Sequence, residues 1–163
     1  MEIERKFLIR TLPENLDTYP CSEIEQGYLC TQPVLRIRRN NDRYIFTYKS
    51  AGLMSREEIE SPLTRESYLH LREKCDGHLI SKTRYKLPDT HGYTIELDIF
   101  HGALNGLCLA EVEFPTEEEA LTYQPPLWFT CEVTNEATFH NSHISGTDPA
   151  VTLLSARQKL EQA

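Results

Sequence analysis

The feature that most constrains this chain is the repeated placement of charged residues two positions apart. In a β-strand, residues i and i+2 project to the same side, about 6.6 Å apart, so charges at that spacing share one face. The pairs are Glu2/Glu4 followed by Lys6, Arg36/Arg38, Glu58/Glu60, Lys82/Arg84, Glu96/Asp98 and Glu111/Glu113, with Lys49 alone in its run. The alternate positions are apolar: Ile3, Phe7 and Ile9; Leu35 and Ile37; Ile95, Leu97 and Ile99; Ala110, Val112 and Phe114. An ordinary sheet with one solvated face accounts for any single pair. The sorting of like charges along single strands argues for more, because such faces repel unless a ligand or a neighbouring strand compensates.

Period-two runs rich in β-branched and aromatic residues predict eight strands, near 2–10, 23–30, 34–40, 43–50, 55–61, 79–87, 92–100 and 107–114. Asn40-Asn41-Asp42 reads as a hairpin turn, and the spacing predicts a meander. Three helices are expected. One spans about 62–76 and opens at Ser61-Pro62. A second opens at Thr116 with a capping box to Glu119 and ends before Pro125-Pro126, and a third starts at Asp148-Pro149. The fold class is therefore dominated by β (α+β): an eight-stranded antiparallel barrel, closed or nearly closed, with helices packed on the outside. Closure also removes sheet edges. With the charged face inward, the lumen holds eight carboxylates and six cations, an expensive core unless it receives a hydrated polyanion together with metal.

A chain of 163 residues suits a single domain over 1–163. No apolar run reaches membrane length, and Met1-Glu2-Ile3-Glu4-Arg5-Lys6 lacks the apolar stretch of a secretory signal, which predicts a cytoplasmic protein. The five cysteines form no C-x-x-C pair and read as reduced thiols. A net charge of −8 disfavours nucleic acid as a partner, and no membrane partner is expected. The six histidines show no ligand spacing and are assigned to surface or loop.

The residue types also narrow the chemistry. Strand carboxylates without histidine or cysteine ligands favour a hard cation, magnesium or manganese, over zinc. Arginine forks and lysine point charges suit phosphate oxygens. No P-loop or Gly-rich nucleotide fingerprint occurs, so side chains have to hold the phosphates.

At this point the sequence resembles a known family. Glu2-Ile3-Glu4-Arg5-Lys6 matches the E-x-E-x-K signature that opens the CYTH superfamily, the triphosphate tunnel metalloenzymes. The order that follows is similar through nearly the whole chain: Gln26-Gly27-Tyr28-Leu29, Leu35-Arg36-Ile37-Arg38-Arg39, Lys49, Arg56-Glu57-Glu58-Ile59-Glu60, Lys82-Thr83-Arg84-Tyr85, Glu96-Leu97-Asp98 and Ala110-Glu111-Val112-Glu113-Phe114. The tail, with Glu132-Val133-Thr134 and Asn141-Ser142, resembles the short bacterial members, but Thr138 stands where those commonly carry an arginine.

The resemblance implies a tunnel that binds a triphosphate with Mg2+ or Mn2+ and hydrolyses it by metal-activated water. It implies Glu2, Glu4, Glu111 and Glu113 as metal ligands, and Lys6, Arg36, Arg38, Lys49, Lys82 and Arg84 as phosphate holders. Glu58, Glu60, Glu96 and Asp98 would position water or restrain the cations, with Tyr28 and Lys82 as the catalytic pair. Inorganic triphosphate, cleaved to pyrophosphate and phosphate, is the expected substrate, because a short chain has little material for recognising a base or sugar. Thiamine triphosphatase, nucleoside triphosphatase and class IV adenylyl cyclase are the alternatives within the family. A non-catalytic polyphosphate-binding module is the alternative of another class. A monomer or homodimer is expected.

Overall fold

The structure, a computed structural model, describes residues 1–163. Ten strands form one antiparallel sheet: β1 (Glu2–Leu8), β2 (Cys21–Thr31), β3 (Val34–Asn40), β4 (Arg43–Lys49), β5 (Ser55–Arg56), β6 (Glu58–Pro62), β7 (Asp76–Pro88), β8 (Thr94–Phe100), β9 (Cys108–Glu113) and β10 (Cys131–Glu132). Their order is β10-β1-β9-β8-β7-β2-β3-β4-β6, and β5 returns to pair with β1. The segment 55–62 thus bridges β4 and β1 and nearly closes a barrel, as the charge pattern predicts. No helix is long and apolar enough to cross a membrane.

The order departs from the single meander predicted from spacing. Two meanders, β2-β3-β4-β6 and β7-β8-β9, are joined side by side, and β1 lies against β9 instead of β2. The cause is burial: Ile3, Phe7 and Ile9 share one core with Ile95, Leu97, Ala110, Val112 and Phe114. That apolar partner is available to β1 only beside β9.

The fifth predicted strand is split at Glu57. The Ser50 backbone donates to the Glu57 carbonyl at 3.0 Å, and the Glu57 N–H donates to Ser50 Oγ at 2.9 Å, so this residue leaves the regular ladder. β10 pairs only Phe7↔Glu132 and Leu8↔Cys131, too short a run to carry a sequence period.

Four helices accompany the barrel: α1 (Arg65–Arg72), α2 (Glu117–Thr122), α3 (Asn141–Ser145) and α4 (Pro149–Gln162). The first starts later than Ser61-Pro62 suggests, because both residues extend β6, and Thr64 caps it by accepting from the Ser67 N–H. It also ends before residue 76, since Asp76 opens β7. Thr116 caps α2 as expected. The capping box is only half made, because the Glu119 carboxylate accepts from the Tyr93 hydroxyl at 2.9 Å. Asp148 caps α4 at the Ala150 N–H.

Two cores result. One lies outside the barrel, between β1, β8, β9 and the segment reaching Phe129. The other includes Leu8, Ile80, Phe100 and Leu109, which occupy luminal positions by strand alternation. Val133, Phe139 and Ile144 from the C-terminal tail pack onto them. One end of the lumen is therefore an apolar floor seated on the tail. The helices pack on the outside as expected, with α3 seated under this end against β2 and β7.

Candidate active site

Above that floor lies a cavity of about 220 Å³ whose lining contains seven carboxylates and seven cations, with Val34, Ile45 and Tyr28 as its apolar side chains. All the predicted site residues except Lys82 and Asp98 line it. Those two sit behind the wall, Lys82 fully buried and Asp98 nearly so. Two further cations complete the lining, Arg56 and Lys86. Both were readable from alternation, because Arg56 continues the Glu58/Glu60 spacing and Lys86 the Lys82/Arg84 spacing.

Register decides which charges meet. On the β1/β9 wall Glu4 lies opposite Glu113, and Lys6 opposite Glu111. Lys6 Nζ is 3.2 Å from Glu111 and donates to the Phe139 carbonyl. Burial pushes the Glu111 carboxyl up, but Lys6, Arg84 and Lys82 outweigh it and hold the group well below the ordinary carboxylate range. Glu2 is taken by Lys49 at 2.8 Å and Arg56 at 3.5 Å, and Lys49 also reaches Glu58 at 3.2 Å. Burial and the adjacent Glu58 nevertheless push Glu2 up.

Glu4 differs from its neighbours. No cation lies within 4.0 Å of its carboxylate, and burial together with Glu111 pushes it up to about 8. Glu113, also without a cation, is pushed up by burial and by Glu2 and Glu58.

The opposite wall carries the converse imbalance. Arg38 has no carboxylate within ion-pair distance, and its Nε donates to Gln26 Oε1 at 2.9 Å. Burial, with Arg36 and Arg84 nearby, lowers its basicity. Arg36 makes one loose contact to Glu60 at 3.9 Å and one hydrogen bond to Thr47 Oγ1 at 3.1 Å, while its buried Nε has no partner. Such guanidinium nitrogens are donors waiting for oxygen acceptors.

Behind the wall, Asp98 accepts from Arg84 Nε at 2.7 Å and Nη2 at 2.9 Å, and lies 2.7 Å from Lys82 Nζ. Arg84 also reaches Glu96 at 3.1 Å. Burial pushes Lys82 down to about 7, against the pull of Asp98 and with Arg84 and Arg38 assisting. Lys82 Nζ also donates to Asn141 Oδ1 at 3.2 Å, and Asn141 lines the cavity with Ser142. The tail therefore reaches the site through Asn141 and Ser142 and not through Thr138. Tyr28 lines the cavity and is hydrogen-bonded to Gln26 rather than to Lys82. His140 corrects the surface assignment of the histidines: it is buried within the tail, its Nε2 hydrogen-bonded to the Thr134 carbonyl, and burial pushes it down to about 4.

No three carboxylates, histidines or cysteines form a ready-made metal cage. The donor set still fits a hard divalent cation, since Glu4 and Glu113 present carboxyl oxygens with no protein cation, while Glu111 would have to release Lys6, and Glu2 both Lys49 and Arg56.

The CYTH domain family matches residues 1–124. A curated relative from Nitrosomonas europaea, named inorganic triphosphatase, is 40% identical over 154 residues, covering 91% of this chain and 99% of that protein. An inorganic triphosphatase of Acetivibrio thermocellus is 32% identical over 152 residues, covering 88% and 92%. The crystal structure of the inorganic triphosphatase NE1496 superposes with a TM-score of 0.69 at 35% identity, covering 90% of this chain and 95% of that one.

Proposed function

The chain belongs to the CYTH domain family, and from that premise we propose that it hydrolyses inorganic triphosphate to pyrophosphate and phosphate with a divalent metal, magnesium or manganese. The observation that carries this reading is the unmatched pair of groups across one cavity: Arg38 faces the lumen without an acid, and Glu4, with no cation beside it, holds its proton up to about 8. A metal–polyphosphate complex supplies both missing partners at once. The two curated relatives named inorganic triphosphatase support the same substrate. So does the lining, whose one aromatic ring, Tyr28, is held by Gln26 and offers no stacking platform for a base or a thiazole.

Glu2, Glu4, Glu111 and Glu113 would hold the metal, which when bound supplies positive charge to neutralise phosphate oxygens and polarise the reacting phosphoryl group. Arg36, Arg38, Lys6, Lys49 and Arg84 bind the remaining oxygens, and this positioning is most of what phosphoryl transfer requires. Water attacks the terminal phosphorus, the P–O bond to the bridging oxygen breaks, and pyrophosphate departs with the electron pair. The proton released by the water passes by way of a relaying water to Lys82 Nζ behind the wall, which burial brings down to about 7 and so makes a base near neutral pH. Tyr28 stands on the wall beside the reacting phosphate. Glu58, Glu60 and Glu96 restrain the lysines and arginines around it, as Asp98 does from behind.

A turnover panel of inorganic triphosphate, ATP and thiamine triphosphate, each with magnesium and with manganese, tests the assignment. Inorganic triphosphate is expected to have the highest kcat/KM. A higher value for either organic triphosphate contradicts it, and binding without turnover would make the chain a polyphosphate-binding module. Within the same assay, Glu4→Gln keeps the side-chain size and removes the carboxyl that a bound cation would ionise. It should raise the magnesium concentration for half-maximal activity by about tenfold or more and lower kcat. An unchanged magnesium titration would remove Glu4 from the metal site.

A further inference from the structure

Gln26 is fully buried, and its amide joins two luminal groups that make no hydrogen bond to each other: Arg38 Nε donates to Gln26 Oε1 at 2.9 Å, and Gln26 Nε2 donates to the Tyr28 hydroxyl at 3.0 Å. The orientation of this amide follows from chemistry. A guanidinium has only donors, so the Gln26 oxygen must face Arg38. The Gln26 nitrogen must then face Tyr28, whose oxygen accepts. Nothing in the protein accepts the Tyr28 hydroxyl proton, and Tyr28 lines the cavity. The same bond occupies Arg38 on its Nε side, leaving the terminal nitrogens without a protein acceptor. One buried amide therefore sets the polarity of two cavity donors.

Backbone packing fixes Gln26 in turn. Gln26 lies opposite Arg38 on β3 and Ile80 on β7. Its neighbour Gly27 faces the other side of the sheet, where a Cβ would come within 2.7 Å of Cys75 Sγ and Leu79 Cδ2. Close packing behind the strand and pairing on both edges leave the amide little freedom.

We propose that Gln26 is a positioning residue that locks Tyr28 as a hydrogen-bond donor to the phosphoryl group held by Arg38, so that the two donors act on one phosphate. The inference rests on the triphosphatase reading of the cavity and deepens it: Tyr28 donates to the substrate, and Lys82 is left to take the proton. Gln26→Met removes both amide contacts at nearly constant volume. Gln26→Glu keeps an acceptor for Arg38 but offers Tyr28 only acceptors, so the hydroxyl proton turns away from the cavity.

The test is a double-mutant cycle of Gln26→Met with Tyr28→Phe, read as kcat, as KM and as the affinity for tripolyphosphate by calorimetry. Gln26→Met and Tyr28→Phe are each expected to lower kcat/KM by about tenfold to 10²-fold, on the precedent of single oxyanion donors. The double variant should be no worse than about threefold below the weaker single one, because both changes remove the same hydrogen bond. Gln26→Glu should lose as much as Gln26→Met in the native background and little further in the Tyr28→Phe background. Losses that multiply in the cycle overturn the proposal, as does full activity in Gln26→Met. If Gln26→Met does not fold, the Gln26→Glu arm of the cycle decides by the same criterion. If the native chain binds tripolyphosphate but does not cleave it, the triphosphatase reading fails, while the cycle measured in affinity still decides the role of Gln26.

Discussion

Replacing Lys82 with methionine lowers kcat by about 10²- to 10⁴-fold, the usual contribution of a proton-transferring side chain, while the protein stays folded and binds triphosphate with little change. The fold survives because Asp98 keeps two hydrogen bonds from Arg84, at 2.7 and 2.9 Å, after the lysine is gone. Binding survives because Lys82 is fully buried behind the cavity wall and leaves the lining intact. The pH dependence gives the sharper signature. Burial pushes Lys82 down to about 7, and a base works only when deprotonated, so native turnover should rise as pH increases through that value. The same limb should be flat in Lys82→Met. Near-native kcat from pH 7 to 9 in the variant would remove Lys82 from the proton path.

Asp98→Asn produces the largest loss of stability, about 3–5 kcal/mol by urea unfolding at pH 7, because it strips the shared counter-charge from two buried cations. Asp98 is 1% exposed, and Lys82 Nζ and Arg84 Nε each lie 2.7 Å from it. Raising the pH to 9 should recover part of the loss, since Lys82 can shed its proton and Arg84 cannot. In the native protein, burial pushes Asp98 up, but Arg84 and Lys82 outweigh it and hold the carboxyl below its ordinary value. A depressed carboxylate contributes stability that is complete above its unfolded pKa, near 4, and that disappears as pH falls through the lower folded value. The acid limb of the stability curve should therefore be shallower in Asp98→Asn. A loss below about 1 kcal/mol would show that the two cations find other partners.

Much of this arrangement was legible because strand alternation is a rigid rule. Once Glu2, Glu4 and Lys6 are placed on one face, Glu111 and Glu113 share a lumen with them whenever β1 and β9 pair in register. Alternation also carries Arg56 and Lys86, each two positions beyond a charged pair, Glu58/Glu60 and Lys82/Arg84. What alternation does not carry is pairing order. That β1 lies beside β9 depends on an apolar core assembled from residues about a hundred positions apart. Depth is equally silent in sequence: Lys82 and Arg84 read alike, yet Phe100 and the tail close over Lys82 while Arg84 reaches the cavity. The tail itself has no strong periodicity. Asn141 enters the site because Val133, Phe139 and Ile144 anchor their segment on the barrel floor. Gln26 was visible only as part of a motif, since a lone amide shows its importance through its two partners.

The central claim is that this charged lumen cleaves a triphosphate rather than merely holding one. A 31P NMR time course of tripolyphosphate with the purified protein and Mg2+ tests it most directly. The account predicts equimolar growth of phosphate and pyrophosphate, abolished by a chelator and restored by added Mg2+ or Mn2+. A tripolyphosphate spectrum that shifts on binding but shows no products over hours, with either metal present, would contradict it.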